Sequence, residues 1–219
     1  MSNNESFIDE VTEEVRRDRL YGLLRRYGWI GAVAVLAIVG GAAWFEWQRA
    51  QATSAAQALG DAMLAAVESD DPAAALGAVT ATGDAEALRL MLIAAEAQRA
   101  GDPEAARAAL GQAAGLAGID PLYGDLARLK LLMLADDMDP AERLAGLETL
   151  ARPGAAYRMP ALEQMALVQV AAGDRAAARE TLAVILEDAA LSPGMRTRAE
   201  GLAEALAEPM AGTDGAVAE

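Results

Sequence analysis

The chain has 219 residues, of which 54% are hydrophobic and only 4% aromatic, and its formal net charge at pH 7 is −15. The absence of cysteine and histidine excludes disulfides, thiolate nucleophiles, imidazole bases and the usual zinc ligands. The negative charge argues against a nucleic-acid partner, which requires a basic surface. We therefore expect a protein that is not an enzyme, has no small-molecule substrate and holds no cofactor or metal.

Alanine is the most frequent residue, and Val, Ile and Thr form no alternating run. Helix propensity is therefore high and strand propensity low, which predicts an all-α fold. The basic residues are arginines with the exception of Lys130. Together with the alanine content, this composition suggests a GC-rich bacterial genome.

Residues 1–27 are predicted to form a cytoplasmic leader. Ser6 and Asp9 have the spacing of a capping box, and apolar residues follow at helical spacing, which predicts an amphipathic helix over 7–26. Its apolar face would lie on a membrane or touch a partner. The simpler interpretation is a leader that only orients the segment after it.

An uncharged apolar segment extends from Gly28 to Phe45. At about 1.5 Å per residue its 18 residues span roughly 27 Å, which is close to the thickness of a bilayer's hydrocarbon core. Aromatic residues, which favour the headgroup region, stand at its two ends: Tyr27 and Trp29 at one, Trp44 and Trp47 at the other. We predict a transmembrane anchor over residues 28–47.

The charges beside this segment predict its orientation. Only Arg49 follows it closely, whereas five arginines precede it: Arg16, Arg17, Arg19, Arg25 and Arg26. Because basic residues remain on the cytoplasmic side, we expect a single-pass protein of the bacterial inner membrane with a cytoplasmic N-terminus and a periplasmic C-terminal domain.

A cleaved secretory signal is the alternative interpretation of this segment. Gly41, Ala42 and Ala43 would provide the small residues of a cleavage site. The long leader with its acidic residues, the aromatic residues after the site and the uninterrupted helical pattern favour an anchor that is retained. Leu59, Ala62 and Met63 continue that pattern, so one long helix is expected to connect the anchor to the domain that follows.

Residues 48–208 are predicted to form a helical-repeat domain. Asp71, Asp102, Asp139 and Asp174 each precede a proline or an arginine at intervals of 31, 37 and 35 residues. Such a period is typical of a solenoid, in which helical pairs bury their apolar faces by stacking. The predicted helices after the leader are 28–69, 72–80, 84–100, 103–116, 121–136, 140–151, 159–172, 175–188 and 193–207. The tail, 209–219, is predicted to be disordered.

Two stretches, 93–113 and 164–185, follow the same plan. A helix with an alanine at mid-face ends at a glycine, an aspartate caps the next helix, and an alanine and a leucine follow at four-residue steps on one face. These residues are Ala94, Gly101, Asp102, Ala106 and Leu110 in the first copy, and Ala166, Gly173, Asp174, Ala178 and Leu182 in the second. The pattern resembles the tetratricopeptide repeat, although Leu131 and Arg143 stand where a third copy would have alanines.

Stacked helical pairs form a concave surface that binds peptide segments of partner proteins. The repeat register directs Met91, Gln98, Glu163 and Leu167 toward this surface. Each of them would otherwise be an ordinary packing or solvent-exposed residue.

Asp136, Asp137 and Asp139 form the densest group of carboxylates. The group falls in a turn between helices, has no glycine at the bend and contains a candidate N-cap residue, so helix capping is favoured over calcium binding. No serine, threonine or lysine has a recognisable base partner, and no phosphate-binding loop is present.

A short leader, the anchor YGWIGAVAVLAIVGGAAWFEW and the two Gly-Asp turns resemble the YfgM family, ancillary subunits of the SecYEG translocon. The resemblance covers residues 15–208 and implies a periplasmic, chaperone-like role, with SecYEG, a periplasmic chaperone and exported clients as partners. The alternative is a structural accessory or assembly factor of another inner-membrane complex, such as a respiratory or cytochrome-maturation complex. A hydrolase that uses carboxylates alone is the least favoured hypothesis.

Overall fold

The computed structural model of the chain describes the backbone of residues 3–207 and the side chains of residues 25, 26, 29–31 and 33–207. All regular secondary structure in this range is helical. The helices are α1 (Asn3–Val67), α2 (Pro72–Ala78), α3 (Asp84–Arg99), α4 (Pro103–Ala114), α5 (Pro121–Met133), α6 (Pro140–Leu150), α7 (Arg158–Ala171), α8 (Arg175–Leu186) and α9 (Pro193–Ala207). The all-α prediction is confirmed for this range, and the tail predicted to be disordered lies outside it.

Helix α1 replaces the two helices that the sequence predicts over 7–26 and 28–69. Residues 3–67 contain no proline, and a single glycine at position 28 lowers helix stability by only about 1 kcal/mol. That cost is too small to end a helix. The predicted separation of leader and anchor into two helices was therefore wrong.

Aspartate side chains start five of the later helices in the described chain. Asp71, Asp102, Asp120, Asp139 and Asp174 each accept a hydrogen bond from a backbone N–H two or three residues further on, at 2.8–3.1 Å. In all but α8 the next residue is a proline, which suits the first helical position because it has no N–H to satisfy. The Asp-Pro pairs of the sequence thus mark helix starts.

The chain divides into two compact units, Met1–Gly60 and Asp61–Glu219. In the second unit, apolar residues form three clusters, each shared by consecutive helices. The first joins α3, α4 and α5, the next joins α5, α6 and α7, and the last joins α7, α8 and α9. Helices α5 and α7 each contribute to two clusters, so the core is a row of overlapping clusters.

Alanine and glycine determine how closely the helices of a pair approach. Ala94 of α3 and Ala106 of α4 are almost fully buried in one cluster, as are Ala166 of α7 and Ala178 of α8 in another. In the middle pair this role falls to Gly146 of α6, where a Cβ atom would come within 2.9 Å of Leu132 in α5. The small residue of α6 thus lies three positions later than the repeat register suggests.

Substitution of Ala106 should test this close approach. Ala106 has no exposed surface, so Ala106→Leu must displace neighbouring side chains and should lower the free energy of unfolding by about 1–3 kcal/mol. Ala108 lies on the exposed side of the same helix, and Ala108→Leu should change it by less than about 0.5 kcal/mol. Urea unfolding of the full chain in detergent, followed by circular dichroism, measures both. Equal effects would contradict close packing at Ala106.

Candidate functional site

The apolar segment of α1 exposes its large side chains. Their exposed fractions range from 48% at Ile30 to 72% at Ile38. Within the described residues, the part of α1 that begins at Trp29 is the one helix long and apolar enough to cross a membrane, and none of its apolar stretch is buried. A continuous apolar surface of this kind is unfavourable in water.

Aromatic side chains lie at the end of this segment that precedes the second unit. Trp44 and Trp47 are 65% and 54% exposed, and their ring centroids are 5.4 Å apart. At the other end Trp29 is 65% exposed. The side chain of Tyr27 lies outside the described residues, so the second aromatic residue predicted at that end has no described position.

The arginines predicted to orient the segment are described in part. Arg25 and Arg26 are exposed. The side chains of Arg16, Arg17 and Arg19 lie outside the described residues. The predicted orientation stays a prediction, since it rests on the sequence alone.

The two Gly-Asp turns have the same geometry. Gly101 and Gly173 have φ angles of 75° and 83°, a left-handed conformation that glycine adopts without strain. The N–H groups of Asp102 and Asp174 donate to the carbonyl oxygens of Ala97 and Gln169, both at 2.9 Å, which completes the C-terminal cap of the preceding helix. Each aspartate side chain then caps the helix that follows, so a single turn ends one helix and starts the next.

The residues predicted to pack the repeats lie in the cores. Ala94, Ala106 and Leu110 belong to the cluster of α3, α4 and α5. Ala166, Ala178 and Leu182 belong to the cluster of α7, α8 and α9. Each of these six side chains is at most 1% exposed, so none of them is available to a partner.

The four residues predicted to line a partner-binding surface lie in different environments. Met91 is only 8% exposed and is part of the α3–α5 cluster. Glu163 is held by Arg198 of α9 through hydrogen bonds of 2.6 and 2.9 Å. Gln98 is exposed, and Leu167 is 43% exposed. Of the four, Gln98 and Leu167 therefore offer free surface, whereas Met91 is a core residue.

Arginines form ion pairs between segments about 30 residues apart, a feature that was not predicted from the sequence. Arg107 of α4 pairs with Asp137, and Arg158 of α7 pairs with Asp188 at 3.3 Å. Over a shorter interval of 10 residues, Arg143 of α6 donates to the carbonyl oxygen of Met133 at the end of α5. The signal was present in the sequence as the large excess of arginine over lysine.

The carboxylates of Asp136, Asp137 and Asp139 have separate structural roles. Asp136 pairs with Arg143 at 3.2 Å, Asp137 pairs with Arg107, and Asp139 caps α6. They do not converge on one point, and the described residues contain no group of three or more acidic, cysteine or histidine side chains arranged to hold a metal ion.

An open cavity of about 360 Å³ lies between the turn before α7 and the turn after α8. Its charged lining residues, Arg158 and Asp188, pair with each other. The rest of the lining is glycine, alanine, proline and Met159. The cavity therefore offers no net charge with which to recognise a ligand.

Comparison of the chain with protein-family models, curated protein sequences and solved structures finds no match in any of the three. The resemblance to the YfgM family therefore rests on the architecture and turns described in the sequence analysis.

Helices α2 and α3 are joined by Arg89. Its guanidinium donates to both carboxylate oxygens of Glu86, at 2.8 and 2.6 Å, and to the carbonyl oxygen of Leu76 near the end of α2, at 3.0 Å. The hydrogen bonds from Arg89 lower the pKa of Glu86, against the opposing effect of partial burial. A carboxylate whose pKa is lowered by folding stabilises the fold above its unfolded-state pKa, and this contribution is lost as the pH falls through the folded-state pKa.

We expect Glu86→Gln to lower the free energy of unfolding by about 1 kcal/mol at neutral pH. The difference from the wild type should shrink as the pH falls below the ordinary pKa of glutamate, because the wild-type carboxylate is then protonated as well. Thermal unfolding at a series of pH values measures it. Glu104→Gln is the matched control, since Glu104 also lies in a first helical turn but is exposed. An equal loss of stability in Glu104→Gln would show that the ion pair of Glu86 with Arg89 does not stabilise the fold.

Proposed function

We propose that this chain is a single-pass membrane protein that presents a helical-repeat domain to protein partners in the bacterial periplasm. The observation that carries the proposal is the apolar segment of α1, whose large side chains have no protein contact to cover them. The core helix of a soluble protein would bury such a segment. A lipid bilayer is the environment that satisfies both its length and its composition.

A cleaved signal sequence would have the same length and apolarity. The retained anchor is favoured by the helical structure of α1, which continues through Gly41–Ala43 as far as Val67. No break in the helix separates the small residues of the would-be cleavage site from the residues that follow.

Leu36 lies in the middle of the apolar segment and is 71% exposed. Leu36→Arg should release the chain from the membrane, because a central arginine raises the insertion free energy by roughly 3 kcal/mol. Ala56→Arg, at an exposed position further along the same helix, should leave membrane retention unchanged. Carbonate extraction of bacterial membranes measures retention. Mass spectrometry of the wild-type protein tests cleavage: a chain that begins after Ala43 would contradict the anchor.

The overlapping clusters of the second unit support the repeat part of the proposal. Consecutive helices supply each cluster, as in solenoids, in which each repeat is stabilised by its neighbours. The two Gly-Asp turns have matching geometry. Because the stacked helices leave side chains such as Leu167 exposed, a tetratricopeptide-like solenoid that binds peptide segments is the arrangement we infer.

The resemblance to the YfgM family suggests which partners to test first. We infer a non-enzymatic, chaperone-like accessory of the SecYEG translocon that meets exported polypeptides together with a periplasmic chaperone. The absence of histidine and cysteine from the sequence supports a binding role over a catalytic one. An anchor beside the translocon would raise the local concentration of the repeats near emerging chains.

Site-specific photocrosslinking tests this role. A photoreactive amino acid in place of Leu167 should crosslink to exported polypeptides and translocon subunits, identified by mass spectrometry. Val184 is a matched control because it is 41% exposed, against 43% for Leu167, but lies on α8, the other helix of the pair. Recovery of one respiratory or cytochrome-maturation complex would instead support an assembly factor, and equal crosslinking from both positions would contradict a binding surface at α7.

A further inference from the structure

The second unit contains only two aromatic residues between positions 61 and 207, Tyr123 and Tyr157. Tyr123 lies in the first turn of α5 and packs partly against the α3–α5 cluster. Tyr157 immediately precedes α7 and packs partly against the α5–α7 cluster. Both side chains are partly exposed, and neither hydroxyl group forms a hydrogen bond within the described part of the chain. Packing against the clusters therefore covers only part of each tyrosine side chain, and the rest is exposed.

Carboxylates at the start of α5 lie near Tyr157. The backbone N–H of Asp120 donates to Oδ1 of Asp84 at 2.8 Å, which holds the first turns of α3 and α5 side by side. Burial raises the pKa of Tyr157, and the charges of Asp125 and Asp120 raise it further, with Tyr123 close enough to contribute as well. Tyr157 thus lies in the negative field of the α5 carboxylates.

These charges are only partly neutralised. Asp125 pairs with Arg128 of its own helix at 3.1 Å, whereas Asp84 and Asp120 have no ion pair with any described residue. Between residues 61 and 207, 23 acidic side chains outnumber 12 basic ones, which leaves a net charge of −11. The region therefore attracts cations.

Exposed leucines lie within the first two turns of the same helices. Leu88 of α3 is 45% exposed and Leu122 of α5 is 44% exposed. We define the tyrosine surface as Tyr123, Tyr157, Asp84, Asp120, Leu88 and Leu122. It combines aromatic rings with exposed leucines and with carboxylates that form no ion pair. No other part of the sequence between residues 61 and 207 contains an aromatic residue.

We propose that the tyrosine surface docks a segment of a partner polypeptide that carries arginine or lysine beside apolar residues. A cation over the face of a tyrosine gains electrostatic energy, and the carboxylates of Asp84 and Asp120 provide the complementary charge. Tyrosine and arginine are also the residues enriched at the centres of protein interfaces. This inference rests on the proposed protein-binding function and specifies the chemistry of the partner.

The test uses the full chain in phosphatidylcholine nanodiscs and a fluorescein-labelled peptide of alternating arginine and leucine, with fluorescence anisotropy as the readout. Tyr157→Leu should raise the Kd about two- to fivefold, and Tyr157→Phe, which keeps the ring, should not. Asp120→Asn should raise the Kd about fivefold and preserve the fold, since asparagine is also a good N-cap.

Asp174→Asn is the matched control for Asp120→Asn. It makes the same change at another N-cap and alters the net charge equally, but the 14 residues of α7 separate it from Tyr157, a distance of about 20 Å. The proposal is overturned if both asparagine variants weaken binding equally, if Tyr157→Leu has no effect on the Kd while its thermal unfolding is unchanged, or if a glutamate–leucine peptide binds as well as the arginine–leucine peptide. None of these results would affect crosslinking at Leu167, which tests the protein-binding function separately.

Discussion

The second unit depends on helices that approach each other closely because alanine lies at their contacts. Alanine supplies 13 of the 28 buried hydrophobic residues in the described structure. A buried alanine removes little apolar area from water, and burial of a methylene-sized group stabilises a fold by only roughly 0.8 kcal/mol. The helices must therefore pack closely at each alanine for the contact to stabilise the fold. The fold tolerates this because each of the helices α3 to α9 shares an apolar cluster with its neighbours in the chain, without one large central core to fill.

Arginine supplements this thin apolar core. Arg89, Arg143 and Arg196 donate to carbonyl oxygens near the ends of α2, α5 and α8, at 3.0–3.4 Å. Met133 and Leu186 are the last residues of their helices, where carbonyl oxygens have no partner within the helix, whereas the oxygen of Leu76 also accepts from the N–H of Val79 at 3.2 Å. A guanidinium offers five donors in a plane, so one side chain can bind a carboxylate and a carbonyl together, as Arg89 and Arg143 do. A lysine ammonium lacks this fixed geometry, which gives a physical reason for the scarcity of lysine besides the genomic one.

Local features of this fold could be predicted from the sequence, and features that depend on neighbouring helices could not. The Asp-Pro starts and Gly-Asp turns involve residues at most five apart, so their pattern is sufficient. Gly146 is different, because its role depends on the side chain of Leu132 in another helix. Met91 illustrates the same limit: the repeat register directed it toward a surface, but it lies in the cluster that α3 and α4 share with α5. The tyrosine surface also needed the structure, since Asp84 and Asp120 are 36 residues apart in sequence.

The acidity of the second unit and the chemistry of the tyrosine surface would act on a basic partner over different distances. The net charge of −11 between residues 61 and 207 attracts cationic segments from afar, but salt at 0.15 M screens such attraction beyond about 8 Å. Contact between a cation and a tyrosine ring acts within about 6 Å and is screened much less. The diffuse charge would therefore speed the encounter, whereas Tyr123, Tyr157 and the two unpaired aspartates would determine how long the segment stays bound. A domain that met many different polypeptides, as the proposed function requires, would benefit from this division, because attraction would be general while retention would require a cation next to apolar residues.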